Sequence, residues 1–168
     1  MIRRLVAVDD AGLDGLADLL IDCVEGGASV SFMHPLPREE ALAFWRRVAD
    51  GVAAGRRVLL VAEEDGVIVG TVQLVFAEPP NQPHRADLAK MLVLRSARRR
   101  GLGAALVEAA ERTAVECGKT LLVLDTTTGG DAERLYARLG WVRVGPIPGY
   151  ALMPDGTPSG TTVFYKQL

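Results

Sequence analysis

Residues 95–104 read RSARRRGLGA and place four arginines directly before two closely spaced glycines and a predicted helix. The first N–H groups of a helix have no intrahelical acceptor, and the helix dipole makes that end positive. Gly101 and Gly103 lack a Cβ, so a ligand could approach the backbone closely. The arginines at 98–100 add donors that suit phosphate oxygens. The pattern predicts a pyrophosphate site, and the alternative is a solvated run of charge before a helix that uses glycine for packing.

Two common phosphate loops do not fit this segment. No Lys-Ser or Lys-Thr pair follows the glycines, as a P-loop requires, and Leu106 occupies the position of the third glycine in G-x-G-x-x-G. The motif is therefore R-x-x-G-x-G, a pattern of only moderate specificity when taken by itself.

Hydrophobic periodicity predicts four helices and seven strands in the order β-α-α-β-β-β-α-β-α-β-β. The helices are predicted at 12–25, 38–53, 101–117 and 131–140, and the strands at 2–8, 56–64, 67–77, 84–94, 120–128, 141–145 and 161–168. Asp65-Gly66 is a hairpin turn signal, and a Pro/Gly-rich loop is predicted between the last two strands. The strand–helix–strand unit at 85–127 implies a parallel pair. The prediction is one α/β domain over residues 1–168, with a mixed, mostly antiparallel sheet.

Composition narrows the classes of function. The chain is 49% hydrophobic and 24% charged with a formal net charge of −2, which argues against a nucleic-acid binder. No stretch approaches the roughly 18 apolar residues of a membrane span. Two Cys and two His lie too far apart in the sequence to predict a metal site. Cys23 and Cys117 are interpreted as free thiols, which predicts a cytoplasmic protein.

Three segments carry a resemblance to a known family. MLVLRSARRRGLGAALVEAAE and AERLYARLGW, each after a predicted strand, resemble the GNAT N-acetyltransferase superfamily from about Val58 to the end of the chain. HRADLAKMLVL, LDTTTGGDAERLYARLGW and VGPIPGYALMPDG resemble the tabtoxin-resistance acetyltransferases. The resemblance implies a sheet of about seven strands with helices on both faces and a central parallel pair that splays apart. It also implies acetyl-CoA as cosubstrate.

The family's use of acetyl-CoA implies a set of cofactor contacts. Backbone groups around the end of the strand at 84–94 would pair with the pantetheine arm, and one free N–H would polarise the thioester. The implied contacts are Leu92, Val93, Leu94, Arg98, Arg99, Arg100, Gly101, Leu102, Gly103, Ala104 and Tyr136. The Asn that many members carry seven residues before the tyrosine is Gly129 here, which removes one side-chain contact to the cofactor.

The resemblance makes Tyr136 the general acid. Its phenol, with an ordinary pKa of about 10, is protonated at neutral pH and can donate to the departing thiolate. The alternative is a core aromatic, since Ala132, Leu135, Tyr136 and Leu139 share one helical face.

Two carboxylates are candidates for the base that takes a proton from the amine. Asp125 ends the strand at 120–128, at the edge where open α/β sheets bind ligands. Asp87 lies on the preceding strand, where strict alternation places it on the face of Met91 and Val93. The alternatives are a turn-forming aspartate for Asp125 and a solvent-facing strand end for Asp87.

The resemblance places the acceptor between the loops at 26–37 and 145–158. Phe32, Asp87, Asp125 and Tyr150 are the predicted substrate contacts, and Glu25 with the two aspartates would make the pocket acidic. We therefore expect direct acetyl transfer to a small amine, such as an amino-acid-like toxin, antibiotic or metabolite, by a monomer or homodimer. The alternatives are a protein lysine or N-terminal acetyltransferase and a non-catalytic acyl-CoA-binding module.

Overall fold

The seven predicted strands form one sheet in the computed structural model, which describes residues 1–168. The helices are α1 (Asp10–Glu25), α2 (Arg38–Ala53), α3 (Leu102–Glu116) and α4 (Asp131–Arg138), and the strands are β1 (Ile2–Leu5), β2 (Arg57–Glu64), β3 (Val67–Phe76), β4 (Arg85–Val93), β5 (Leu121–Thr127), β6 (Val142–Leu152) and β7 (Pro158–Gln167). The strand order is β1-β2-β3-β4-β5-β7-β6, and only β4 and β5 are parallel. The predicted fold class is confirmed. No helix is both long and apolar enough to cross a membrane.

Helices cover both faces of this sheet and create two cores. One core joins α1 and α2 to β2 around Leu20, Trp45 and Leu59, all of which are fully buried. The other joins α3 and α4 to the opposite face around Leu106 and Phe164. Coverage on both faces explains why β2 and β3 are nearly continuous apolar runs.

Local sequence signals fix several boundaries of these elements. The side chain of Asp9 accepts a hydrogen bond of 2.8 Å from the amide of Gly12 and caps α1. Asp65 and Gly66 form the β2–β3 turn with φ of 50° and 79°, the left-handed pair that this hairpin requires.

The structure departs from the sequence prediction at several boundaries. β1 ends at Leu5 rather than at residue 8, and β7 begins at Pro158 rather than at residue 161. The predicted Pro/Gly loop after residue 145 is wrong, because β6 continues to Leu152 with two register shifts against β7. As an edge strand, β6 tolerates Pro146 and Pro148, since its outer side has no partner to bond. A single 3₁₀ turn, Arg95–Ala97, separates β4 from α3. α4 begins at Asp131 with Gly130 as its N-cap, and it ends at Arg138 rather than at residue 140.

Candidate active site

The central parallel pair opens into a cleft, as expected. β4 and β5 pair only where Arg85–Asp87 faces Leu121–Val123, and no strand partner lies between them beyond that point. A cavity of about 1210 Å³ fills the gap and extends from α1 to α4. This volume exceeds the roughly 300–1,000 Å³ of an ordinary small-molecule pocket, so the cleft has room for two reactants.

A β-bulge shapes the wall that β4 gives to this cleft. Between matched positions β4 has one residue more than β3, and Lys90 has a left-handed φ of 50°. As a result, Leu88 packs in the α3 core whereas Leu92 packs in the α1–α2 core. Strict alternation would have put both on one face. The prediction that Asp87 shares a face with Met91 is therefore wrong.

The head of α3 presents unpaired amides to the cavity. None of the N–H groups of residues 101–104 donates to a protein acceptor, and the first bond of the helix is from Ala105 N to Gly101 O at 3.1 Å. Gly101 has a φ of 80°, a conformation that glycine adopts without strain. A Cβ on Gly103 would lie 3.3 Å from Leu135 in the cavity wall.

The three arginines before the helix have different surroundings. Arg98 lines the cavity, and its Nε donates to the carbonyl of Val93 at 3.1 Å. Arg99 also lines the cavity, with a left-handed φ of 62°. Arg100 instead forms a bidentate ion pair of 2.9 and 3.0 Å with Glu64 of β2 and does not line the cavity. The structure therefore brings only two of the predicted guanidinium groups to the cleft.

The end of β4 has one residue whose backbone faces the gap. The Val93 carbonyl accepts hydrogen bonds from Arg98 and from the thiol of Cys23, whereas the Leu94 amide donates to Val69 of β3 at 2.9 Å. The N–H and C=O of one strand residue point to the same side. The Val93 amide therefore also points away from β3.

Tyr136 is both a core residue and a cavity residue. Its ring packs against Trp141 and Phe164, with centroids at 5.6 and 6.1 Å, and the residue is only 4% exposed. Its hydroxyl has no hydrogen-bond partner in the protein, and the residue lines the cavity. Burial, followed by the nearby charge of Asp125, raises the pKa of Tyr136 above its ordinary value.

The three predicted carboxylates are not equivalent. Asp125 lines the cavity, makes no ion pair, and accepts a hydrogen bond of 2.7 Å from the hydroxyl of Thr161. Asp87 also lines the cavity but pairs with Arg85. Glu25 pairs with Arg95 at 3.5 Å and does not line the cavity. Only Asp125 offers the cleft an uncompensated negative charge, so the predicted acidic pocket is reduced to one residue.

The predicted acceptor contacts fall partly on the cavity. Tyr150 lines it with 57% of its surface exposed. Phe32 does not line it, because its ring packs edge-on against Phe44 at 5.2 Å, and the neighbouring Ser31 lines the cavity instead. Sequence reasoning missed Lys90, although a lysine inside the apolar run LAKMLVL was an available signal.

The loop after β5 also departs from the expected cofactor contacts. Gly129 has a φ of 80° and its amide donates to the carboxylate of Glu133, which lowers the pKa of that carboxyl. The next residue, Gly130, lines the cavity.

No group of three His, Cys, Asp or Glu side chains is arranged to hold a metal ion.

A mixed sheet split between parallel strands, with free amides at the head of the following helix, is the architecture of the acetyltransferase class. The sequence model of the acetyltransferase (GNAT) family matches residues 16–141. The chain belongs to this family and is an N-acetyltransferase.

Individual relatives agree with this assignment. The chain is 32% identical over 126 residues to an uncharacterized N-acetyltransferase of Azospirillum brasilense, covering 74% of this chain and 73% of that protein. A ribosomal-protein-alanine N-acetyltransferase from Brucella melitensis has a TM-score of 0.83 at 22% identity, covering 100% and 99% of the two chains. A Salmonella typhimurium protein described as an acetyltransferase, solved with its cofactor acetyl-CoA, has a TM-score of 0.79 at 20% identity, covering 99% and 94%. At these identities the solved structures support the fold alone.

Proposed function

We propose that this N-acetyltransferase binds acetyl-CoA in the cleft between β4 and β5 and transfers the acetyl group directly to the amine of a small molecule. The observation that carries the proposal is the set of four unpaired amides at residues 101–104, which opens into the split of the sheet. Backbone donors at the positive end of a helix are suited to a pyrophosphate. The acetyl-CoA found with the Salmonella typhimurium protein is consistent with this choice of cosubstrate.

The guanidinium groups of Arg98 and Arg99 supplement these amides, whereas the side chain of Arg100 is engaged elsewhere. The pantetheine arm would run along Leu92, Val93 and Leu94, in the place of a missing strand. The Val93 amide faces the gap and would donate to the thioester carbonyl, stabilising the negative charge that develops there.

Asp125 is the proposed base. A typical amine arrives as an ammonium ion, and Asp125 accepts its proton directly or through one water. The neutral amine attacks the thioester carbonyl, and the C–S bond breaks as the tetrahedral intermediate collapses. Tyr136 donates its phenolic proton to the departing thiolate, and the second proton that the nitrogen loses on forming the amide returns through water to the phenolate. Asp87 is the weaker candidate, because its carboxylate is already engaged by Arg85.

The size and partial enclosure of the cavity favour a small acceptor. Tyr150 and the residues around Ser31 bound the part of the cavity that the pantetheine arm would leave free. A tabtoxin-resistance type of acceptor, an amino-acid-like toxin or antibiotic, is the finer proposal. It is supported by the three sequence segments that resemble those enzymes.

Calorimetric titration with acetyl-CoA tests the cofactor site. We expect Arg98→Ala combined with Arg99→Ala to weaken binding about tenfold or more, since each removes a charged donor to phosphate. Arg100→Ala is the matched control and should leave the affinity unchanged. Equal effects of both variants would contradict the proposed site.

A thiol-release assay, corrected for hydrolysis of acetyl-CoA, tests the reaction. The acceptor panel comprises amino acids, polyamines, aminoglycosides, β-lactam-type toxins and peptides. Turnover of small amines supports the proposal, whereas turnover of peptides alone would indicate a protein acetyltransferase. Tight acetyl-CoA binding without turnover of any amine would indicate an acyl-CoA-binding module.

A further inference from the structure

Lys90 is a cation of the cleft without a carboxylate partner. It is half-buried on the β4 bulge and lines the cavity, and its Nζ donates to the hydroxyl of Ser31 at 3.0 Å. The ammonium also lies 5.9 Å from the centre of the Phe44 ring. No Asp or Glu lies within ion-pair distance of it. Removing an ammonium from water is costly unless an anion compensates it.

The backbone that holds this pair is unusual on both sides. Ser31 has a φ of 79° and Lys90 a φ of 50°, so both non-glycine residues are left-handed. Such conformations are uncommon and strained for non-glycine residues, and they concentrate at functional sites. The bulge interrupts the regular alternation of β4 and thereby places Lys90 in the cleft.

A second charged residue, Arg57, lies outside the cavity and adds positive charge near Lys90. Arg57 makes no ion pair, and its side chain makes one hydrogen bond, which it donates to the side-chain amide oxygen Oε1 of Gln73 at 2.9 Å. Its Nε is buried without an acceptor. Burial, and to a lesser extent the charge of Arg57, lowers the pKa of Lys90, while the charge of Asp125 opposes that shift. The charges of Lys90 and Asp125 therefore interact, although the two side chains do not form an ion pair.

Arg98, Arg99 and Arg138 also line the cleft without an ion pair, but the unpaired cation beside Ser31 is Lys90. It lies farther than an ion-pair distance from Asp125, the one unpaired carboxylate of the cleft. We infer that the acceptor is a zwitterion whose carboxylate binds Lys90 and Ser31 while its amine faces Asp125. This assignment rests on the proposed function and adds to it the residue that selects the substrate. An amine without an anionic group would leave Lys90 uncompensated in the closed complex, so such amines are disfavoured.

The test compares acceptors that differ only in the carboxylate. Each set contains an L-amino acid, its carboxamide and the amine that lacks the carboxyl group, for example phenylalanine, phenylalaninamide and phenethylamine. Acetylation of each set is measured with the wild-type enzyme and with Lys90→Met, Lys90→Arg and Lys119→Met. Lys119 is the matched control, because its Nζ donates to the carbonyl of Pro83 and it lies outside the cavity.

We expect the wild-type enzyme and Lys119→Met to prefer the carboxylates. In Lys90→Met the kcat/KM for carboxylates should fall about ten- to a hundredfold, mainly through KM, since a charged hydrogen bond is lost. The activity toward amides and simple amines should not fall, so the preference disappears. Lys90→Arg, which keeps the positive charge, should retain part of the preference for carboxylates. Equal turnover of carboxylates and amides by the wild type, or a preference that survives in Lys90→Met, would overturn the inference.

Calorimetry with the same sets on protein saturated with CoA separates this inference from the proposed function. Carboxylates that bind the wild type at least about tenfold more tightly than Lys90→Met, yet are not acetylated, would support the role of Lys90 and contradict the transferase reaction. Acetylation that does not depend on the carboxylate would support the transferase reaction and contradict the role of Lys90. Failure of every carboxylate to bind the CoA complex, even at millimolar concentration, would also overturn the role of Lys90.

Discussion

Tyr136 shows how one residue can satisfy two sequence interpretations together. Its ring belongs to the α3–α4 core, as its helical spacing indicated, while its hydroxyl remains without a protein partner beside the cavity. Periodicity identifies a buried aromatic but cannot reveal where its polar end points. The same limit applies to Asp125 and Asp87, whose ion pairing depends on neighbours that are distant in sequence.

We predict that Tyr136→Phe lowers kcat about a hundredfold or more, because general acid catalysis typically contributes that much. The KM for acetyl-CoA and the melting temperature should stay close to wild type, since the lost hydroxyl bonds no protein group. Steady-state kinetics and thermal melts provide the measurement. Tyr165→Phe, on a tyrosine that does not line the cavity, is the control. A kcat near the wild-type value would remove Tyr136 from the mechanism.

The raised pKa of Tyr136 predicts the shape of the pH profile. A general acid must be protonated, and a pKa above the ordinary value of about 10 keeps the phenol protonated throughout the neutral and mildly alkaline range. We therefore expect kcat at saturating substrate to rise or level off up to about pH 9, with no fall caused by Tyr136. A descending limb in that range that is absent from Tyr136→Phe would contradict the assignment.

At the scale of the element, β4 was predicted as a strand with nearly correct ends, but its bulge was not. Alternation assumes an unbroken ladder, and the extra residue at Lys90 reverses the faces of everything that follows. No local residue type marks this bulge, because it arises from pairing with β3. The glycines at the head of α3 were easier to interpret from the sequence, because the turn there needs a left-handed φ at Gly101 and this need is local.

The left-handed φ of Gly101 leads to a prediction, for which Gly118 at the other end of α3 provides the control. Gly101 and Gly118 flank α3 with φ of 80° and 72°, and a Cβ on either would meet no atom within 4 Å. Alanine at either position should therefore lower the free energy of unfolding by about 1–2 kcal/mol through backbone strain alone. Only Gly101→Ala should also weaken acetyl-CoA binding in calorimetry, because only Gly101 lines the cavity. Equal affinities of the two variants would mean that Gly101 serves the fold alone.

For the whole molecule, the order of elements and the mixed sheet followed from periodicity and from one parallel crossover. The division into two cores did not, since it depends on which face of the sheet each helix covers. The cores are not separate units, because both lie on the same central strands and Leu94 packs against both. We therefore propose that residues 1–168 fold as one domain.

Core truncations test this cooperativity. Leu20 of α1 and Leu106 of α3 are fully buried in different cores, so each change to alanine should cost about 2–5 kcal/mol. In one cooperative domain each variant shifts the same single melting transition, detected equally by circular dichroism and by calorimetry. Val115→Ala, on an exposed residue of α3, should change stability by no more than about 0.5 kcal/mol. Saturating acetyl-CoA should raise the transition of both core variants, because binding to the folded state stabilises the whole cooperative unit. A biphasic melt in which one variant moves only one phase would divide the chain into two folding units.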